Sequence, residues 1–539
     1  MNNNQVSKIG LILCVVGLIL IIISWIYSYP IESSSLNDNT FSEFYPSIWY
    51  GLLFFLTGIF FIGKSSSKNI KIFFASIYPI VSYIYFFFFL YVPSSDSGNV
   101  RGMFRIFQNE GINPNIVSYF EFPSFFTFNK ILKELISVET TMVEFIGLSF
   151  FGILLGFFLY LTYKYVFLNK KSSTHTAYFT VILYFIGVFP FINFQWVPQT
   201  FSLVYFFILI FIISKVSYAA EYYTKLKIIT IIVYIPFLFS HAFIPLIFSL
   251  FFIIISLNKK KFLQTAALFV SSLIFINLFY AISNFQTYIE VFKISIYGVG
   301  HVSNSVLSGT SIESTNFYDY LISNVNRFRI PIIWIVGVIG SIILFFKKEI
   351  KFFLISLGIS GAAYFSIGLY FSILGSRALQ IFLIPVLVGF QFFISRWKKI
   401  SYILIFLMIV FSIFGTIRMS YNQTQFQSME DLETCNFLAE TITSEEKPKI
   451  CLGQVNWGYF RNMLIYYNKS EIVSYRPGGS YFLNIYSNEM QNNSFVLYNV
   501  NLGKEIFKYT GKVKLIKEDY LFYNNIVYNS FSTKIFKGV

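Results

Sequence analysis

The feature that most restricts the fold of this chain is a succession of long apolar runs separated by short basic segments. Residues 9–27 and 72–92, for example, each reach the roughly 20 residues that an α-helix needs to cross about 30 Å of hydrocarbon. Charged residues make up 12% of the chain, against about 25% in a typical soluble domain. The sequence therefore predicts a polytopic α-helical membrane protein.

The apolar runs predict about thirteen membrane helices. They lie approximately at residues 8–27, 46–63, 72–92, 143–168, 175–192, 200–216, 228–240, 243–257, 262–282, 331–346, 352–373, 378–395 and 400–417. The segments rich in Lys and Arg are 64–71, 169–171, 215–227, 259–261, 347–351 and 396–399. The positive-inside rule predicts that these basic segments are cytoplasmic. We therefore expect a multi-pass protein of the plasma membrane with a cytoplasmic N-terminus.

The net charge of +15 comes largely from such short basic clusters. Proteins that bind single-stranded nucleic acid combine a basic groove with interleaved aromatic side chains, and no soluble patch of that kind is present. We expect membrane lipid, and not nucleic acid, as a partner.

The apolar run at 226–257 is too long for one span, yet both of its flanks are basic. Basic flanks on both sides require an even number of crossings. Pro236, the Ser240–His241 pair and Pro245 interrupt the run near its middle. We therefore predict two short helices that meet near the outer surface. Broken backbone at membrane depth is tolerated beside protein or water, so the break is a candidate cavity wall.

Three segments are predicted to face outward: 93–142, 283–330 and 418–539. The last of these is predicted to be an extracytoplasmic α/β domain, with a helix at 429–442. Its strand-like runs lie near 450–452, 472–475, 495–500, 513–516 and 525–528. All Asn-x-Ser/Thr sequons of the chain fall in this domain, at Asn422, Asn468 and Asn492, which agrees with an outside location.

The first outward segment holds the candidate catalytic acid, Asp96. It stands four residues beyond the third apolar run, before a predicted short helix at 100–107 that carries Arg101 and Arg105. A carboxylate just above the bilayer can take a proton from an attacking hydroxyl, and nearby arginines can hold a leaving phosphate. The alternative is that Asp96 caps the helix, because it lies in a Ser-Ser-Asp-Ser sequence.

An amphipathic helix is predicted after the Phe-Pro break at 122–123. Its apolar positions at helical spacing are Phe125, Phe128, Ile131, Leu132, Leu135 and Ile136, and its polar face carries Asn129, Lys130, Lys133 and Glu134. Such a helix is suited to lying on the membrane surface. Glu121, just before the break, is a second candidate acid, although exposed loop carboxylates are common.

Two further polar groups lie near the predicted outer surface. His241 occupies the break in 226–257, where it either contacts a substrate phosphate or satisfies carbonyls freed by the break. Gln199 ends the polar turn 193–199, whose amides either bind sugar hydroxyls or cap two helices.

Arg377 lies in the motif Gly-Ser-Arg-Ala-Leu-Gln at 375–380, at the predicted outer mouth of a span. Positive-inside bias disfavours an arginine there, so either a phosphate partner or snorkelling to lipid headgroups is expected. Arg327, before Pro331, also faces outward and is a further candidate for phosphate binding. No Cys/His metal spacing, P-loop, GxGxxG or HExxH motif occurs in the sequence.

Taken together, these features resemble the GT-C superfamily of membrane glycosyltransferases. The resemblance rests on Asp96, on the juxtamembrane helices near 100–107 and 125–137, on the broken pair at 240–245 and on Gly-Ser-Arg-Ala-Leu at 375–379. It covers roughly 72–539. It implies a membrane core at 72–417, a C-terminal outer domain at 418–539 and two additional leading helices in 1–71.

The resemblance implies inverting transfer of a sugar from a polyprenyl-phosphate donor to a glycan or surface-protein acceptor on the outer face. Asp96 would act as the base or orient the acceptor, and Arg377, with Arg101 or His241, would bind the lipid phosphate. A divalent metal ion assists in some relatives. The sequence shows no metal site.

Two other functions remain open at this stage. A flippase for lipid-linked oligosaccharide would be expected to carry polar residues throughout its spans, with related halves, whereas here the polar groups gather at the outer ends. An inactive membrane scaffold related to the enzymes would show the same layout without transfer activity.

Overall fold

The computed structural model describes residues 3–29, 44–64, 67–88, 95–111, 122–166, 173–187, 196–218, 223–258, 263–280, 317–347, 352–370 and 375–420, together with five β-strands in the C-terminal part. The first half of this part contains α1 Asn3–Ser28, α2 Ser47–Lys64, α3 Lys68–Ser82, α4 Ser95–Glu110, α5 Ser124–Ile136, α6 Thr140–Val166, α7 Ser173–Gly187 and α8 Pro198–Tyr218. The second half contains α9 Tyr223–Leu238, α10 Phe243–Asn258, α11 Leu263–Phe279, α12 Phe317–Phe346, α13 Phe352–Tyr370, α14 Gly375–Arg396 and α15 Lys398–Ser420.

Some of the described helices have the length and the apolar surface of membrane helices. Within the described ranges, four stretches are long and apolar enough to cross a bilayer: Asn4–Ser28, Ser47–Lys64, Met142–Lys164 and Leu379–Arg396. Shorter apolar helices accompany them. Large apolar side chains lie on the helix surfaces, such as Ile12, which is 61% exposed, and Phe279, which is 71% exposed. A contiguous apolar surface of this kind is suited to lipid. Each predicted span overlaps a described helix, and the number of crossings stays a prediction.

Helix bounds depart from the sequence-based prediction in three places. The short helix predicted at 100–107 extends over Ser95–Glu110. The predicted span 331–346 coincides with an apolar stretch, but the helix that contains it, α12, already begins at Phe317 and continues through Pro331. A 3₁₀ helix, Ile84–Phe88, follows α3 in place of a continuous α-helix. By contrast, the predicted break of the 226–257 run is confirmed by the separation of α9 from α10.

The helices α1 and α2 pack face to face through glycines spaced seven residues apart. A β-carbon added to Gly17 would lie 2.6 Å from Gly51 O, and one added to Gly58 would lie 2.6 Å from Gly10 O. Only glycine permits backbones to approach so closely, and small residues at interfaces are typical of helix pairs in membranes.

Helix α14 occupies the interior of the second half of the bundle. A β-carbon on Gly340 of α12 would lie 2.2 Å from Gly389 O, so these two helices touch backbone to backbone. Tyr163 of α6 donates to Ile384 O at 3.3 Å. The carbonyl of Pro385, inside α14, accepts from Ser341 at 3.2 Å. Polar side chains from neighbouring helices thus bond to backbone carbonyls around the α14 proline.

The C-terminal strands form one mixed five-stranded sheet. They are β1 Lys449–Leu452, β2 Ser474–Tyr475, β3 Ser494–Asn499, β4 Asn525–Asn529 and β5 Thr533–Lys537, in the order β2-β1-β3-β5-β4. Strand β1 is parallel to β2 and β3, whereas β5 is antiparallel to β3 and β4. Four of the predicted strand runs lie on these strands, and β5 was not predicted. The predicted helix 429–442 and strand 513–516 lie outside the described residues.

Candidate functional site

Several segments that are far apart in sequence meet at one end of the helix bundle. The backbone N–H of Ser124, at the start of α5, donates to Phe239 O in the turn between α9 and α10, at 3.1 Å. Trp196, just before α8, donates from Nε1 to Asn129 Oδ1 of α5, at 3.2 Å. We call the group formed by α4, α5, residues 196–200 and the turn 239–242 the loop-helix end.

Trp196 is the centre of this packing. Its side chain is fully buried, and its ring lies edge-on to Phe104 of α4 and Phe125 of α5, at centroid distances of 5.4 and 5.1 Å. A β-carbon on Gly147 of α6 would lie 2.9 Å from Asn129 Oδ1 and 3.3 Å from Trp196 Nε1. The absence of a side chain at Gly147 therefore makes room for the hydrogen bond between Asn129 and Trp196.

Helix α4 is joined to α6 by a buried ion pair. Arg101 is 1% exposed and Glu144 is fully buried. The guanidinium binds the carboxylate at two points, through Nε to Oε1 and through Nη2 to Oε2, the second at 2.7 Å. Two-point pairing of this kind fixes both the distance and the orientation of its partners. Arg101 was predicted to be a phosphate ligand, and the structure commits its guanidinium to Glu144.

Helices α4 and α5 are clamped to each other by lysines that contact Gln108. Lys133 Nζ donates to Gln108 Oε1 at 3.1 Å, and Lys130 Nζ donates to Gln108 O at 3.4 Å. The exposed apolar side chains of α5 include Ile131 and Leu135. The prediction that Asn129 belongs to the polar face of α5 is wrong, since this residue is fully buried. Its side-chain amide donates to Phe125 O at 2.8 Å.

The two predicted acids differ in what the structure describes of them. Asp96 is the second residue of α4, and the structure describes its backbone but not its side chain. A carboxylate in the first turn of a helix is stabilised by the positive end of the helix dipole. Asp96 thus lies inside the first turn, two residues after the N-cap position, and its catalytic role stays a prediction. Glu121 lies outside the described residues.

The turn between α9 and α10 is stabilised by its own side chains. The Nδ1 atom of His241 accepts from the backbone N–H of Phe243 at 3.1 Å, so the ring caps the first turn of α10. Ser240 Oγ lies 2.6 Å from Phe237 O and 2.8 Å from Ser202 Oγ. The Ser240 hydroxyl is therefore the donor to both acceptors, the Phe237 carbonyl and the Ser202 hydroxyl, and shares its proton between them. Ser240 thus bonds to a carbonyl near the break.

Two buried glutamines have amide atoms without a hydrogen-bond partner among the described residues. Gln199 is 4% exposed and its Nε2 has none; Gln380 is fully buried and neither Nε2 nor Oε1 has one. A β-carbon on Gly187, the last residue of α7, would lie 3.2 Å from Leu383 of α14. The N-terminal part of α14 therefore packs against the C-terminal end of α7, from which the chain continues towards Trp196. A buried amide without a partner costs free energy unless a ligand or water satisfies it.

The remaining predicted arginines lie on helices. Arg105 is half-buried, one turn after Arg101 on α4. Arg377 lies in the first turn of α14, and Arg327 lies in α12 and not in a loop. The structure does not describe the side chains of Arg377 and Arg327.

The helical arrangement of this chain is similar to that of a solved membrane protein. The crystal structure of ArnT from Cupriavidus metallidurans in the apo state aligns with 83% of this chain and covers 94% of its own, at a TM-score of 0.48 and 11% sequence identity. No protein-family model and no curated protein matches the sequence.

A bound metal ion needs a cluster of suitable donors. In the part of the chain that the structure describes, no three His, Cys, Asp or Glu side chains come together.

Sequence reasoning missed Glu144 and Trp196. Glu144 lies inside the predicted span 143–168, where a charge is costly and requires a partner; that cost was the signal that could have identified it. Trp196 lies in the short polar turn 193–199, where the sequence pattern points to a function only for the amide side chains.

Proposed function

We propose that the chain is a glycosyltransferase that moves a sugar from a polyprenyl-phosphate donor to a glycan or protein acceptor at the outer face of the membrane. The observation that carries the proposal is the convergence at the loop-helix end of α4, α5, Trp196 and the α9–α10 turn. These segments, distant in sequence, form a packed set of juxtamembrane helices next to buried amides. A lipid-linked donor needs such a site, because its reacting phosphate lies at the membrane surface while its tail stays in lipid.

In the proposed reaction the acceptor hydroxyl attacks the anomeric carbon of the donor sugar. A new carbon–oxygen bond forms as the bond from that carbon to the phosphate oxygen breaks. The hydroxyl proton passes to the Asp96 carboxylate, and the electron pair of the broken bond leaves with the polyprenyl phosphate. General-base assistance of this kind typically contributes about 10²–10⁴ in rate.

We assign the other polar groups by what they contact. The Arg101–Glu144 pair holds α4, and thereby Asp96, against α6. Arg377 binds the donor phosphate, with His241, Arg105 and Arg327 as further phosphate contacts, and Glu121 is the alternative acid. Gln199 and Gln380 offer their unpartnered amides to sugar hydroxyls or phosphate oxygens.

The experiment is sugar transfer in membranes supplied with a labelled polyprenyl-phosphate sugar. Asn and Ser are both well tolerated at a helix start, so Asp96→Asn and Asp96→Ser keep a small polar side chain in the first turn of α4 and remove the base. We expect each variant to lower the transfer rate at least roughly 100-fold. Glu134→Gln, an exposed carboxylate on α5, is the matched control and should retain full activity.

The outcomes separate the proposals. Retained transfer in both Asp96 variants rejects the catalytic role. Movement of the lipid-linked glycan across the bilayer without transfer identifies a flippase in place of an enzyme.

A further inference from the structure

At the end of the bundle away from Trp196, the ends of α2, α3, α7 and α15 meet around His175. A carbonyl only accepts, so His175 donates from Nδ1 to Gly63 O, and its Nε2 then accepts from the Tyr402 hydroxyl. These bonds tie α7 to both α2 and α15. Lys64 lies over the Tyr402 ring, 5.9 Å from its centroid. We call these four helix ends the lysine end.

Positive charge accumulates at the lysine end without a described counter-ion. Lys71 is only 4% exposed, and both Lys71 and Lys398 are close enough to act electrostatically on His175. Lys64 and Lys68 are exposed at the adjacent helix ends. Within the described helices, no carboxylate lies within salt-bridge distance of any of these lysines. The Lys71 ammonium is held on a largely buried side chain among other positive charges, so an anion from outside the chain would stabilise this arrangement.

Three helix N-termini add to the same positive field. Helices α3, α7 and α15 begin at the lysine end, at Lys68, Ser173 and Lys398. The first backbone N–H groups of a helix have no intrahelical partner and carry a partial positive charge. Ser67 precedes α3 without making a side-chain cap hydrogen bond. Lysine is the unfavourable charge at a helix N-terminus, whereas phosphate is bound there readily.

We propose that the lysine end binds the phosphate of an anionic lipid headgroup in the cytoplasmic leaflet. The positive-inside rule places these basic segments on the cytoplasmic side, where anionic lipids attract juxtamembrane lysines. The hydrogen bonds of His175 hold α2, α7 and α15 in register, so the charged groups form a fixed cradle. This site is independent of the proposed glycosyl transfer at the opposite end.

The test is lipid retention by the purified full chain in native mass spectrometry, with phosphatidylglycerol or phosphatidylcholine added. The double variant Lys68→Gln/Lys398→Gln changes only exposed side chains and is expected to fold. Each juxtamembrane lysine contributes roughly a fivefold preference for anionic lipid, so we expect the double variant to bind phosphatidylglycerol roughly 25-fold more weakly. Phosphatidylcholine binding should not change.

Lys347→Gln is the matched control. Like Lys68 and Lys398, Lys347 is an exposed lysine at a helix end. It lies at the end of α12, 5.3 Å from the Phe392 centroid. Full retention by this control, with loss in the double variant, supports a specific site. Equal loss in both, or none in the double variant, overturns the proposal. Displacement of the lipid by an equal concentration of soluble glycerol phosphate would show a site for free phosphate and overturn the assignment to lipid.

Discussion

Arg101 on α4 and Glu144 on α6 face each other in the protein interior as a two-point ion pair. Both side chains are shielded from solvent, so removing one partner would leave the other as a buried, unpaired charge, which is energetically costly. The pair connects a helix outside the predicted spans to one inside them, and thereby fixes how the first outward segment sits on the bundle.

Removing one member of this pair should therefore be more harmful than removing both. Truncating one partner of a buried ion pair costs about 3–5 kcal/mol, whereas replacing both with apolar residues is often neutral. We expect Arg101→Met or Glu144→Leu alone to lower the Tm of the detergent-solubilised protein strongly. The double variant should recover most of that loss. A double variant as unstable as the single ones would contradict this view of the pair.

Gln380 should show opposite effects on stability and on activity. Its buried amide has no hydrogen-bond partner among the described residues, so Gln380→Leu should raise the free energy of unfolding by about 1–3 kcal/mol. If the amide binds donor, the KM for the polyprenyl-phosphate sugar should rise at the same time. Gln391→Leu is the control, because that amide donates to Thr176 Oγ1 at 3.4 Å while only its Oε1 lacks a partner among the described residues. It should raise stability less than Gln380→Leu does and leave the KM unchanged.

The Asn129–Trp196 hydrogen bond should be sensitive to the size of residue 147. In Gly147→Ala the new β-carbon would come within 2.9 Å of Asn129 Oδ1 and force the two side chains apart. Trp196→Phe removes the donor and leaves Asn129 Oδ1 buried and unpaired. We expect each change to cost about 1–3 kcal/mol, measured by thermal unfolding. Combining them should cost less than the sum, because both break the same bond.

The apolar side chains of α5 are expected to contact lipid. Leu135 is 79% exposed on α5, an unfavourable position in water. A nitroxide label at Leu135→Cys should be relaxed by oxygen, which concentrates in hydrocarbon, more than by a water-soluble nickel complex. The neighbouring Glu134→Cys label should show the reverse. Equal accessibility at both positions would contradict an interfacial α5.

Much of the fold could be read from the sequence. Apolar runs of about 20 residues force backbone hydrogen bonds to be satisfied within the segment, so helix positions follow from composition alone. The break between α9 and α10 was also predictable, since Pro236 and the basic flanks leave few alternatives. The early start of α12 was not, because Pro331 is a typical helix boundary and yet lies within this helix.

The candidate site was less predictable, because it depends on contacts between distant segments. Periodicity assigns Asn129 to the solvent face of α5. In the folded chain this residue is buried and bonds to Trp196, which lies 67 residues later in the sequence. Arg101 has the pattern of a phosphate ligand until Glu144 is known to face it. Sequence spacing identifies polar groups near one membrane surface. It does not reveal which of them form hydrogen bonds or ion pairs with one another.

The glycine contacts between α1 and α2 determine what holds these helices together. In hydrocarbon there is no hydrophobic driving force for aliphatic side chains to associate, so helix pairing depends on direct backbone contact. Gly10, Gly17, Gly51 and Gly58 provide that contact along the whole hairpin. Its cohesion is thus independent of water, and it should persist on cooling, when interactions that rely on the exclusion of water lose strength.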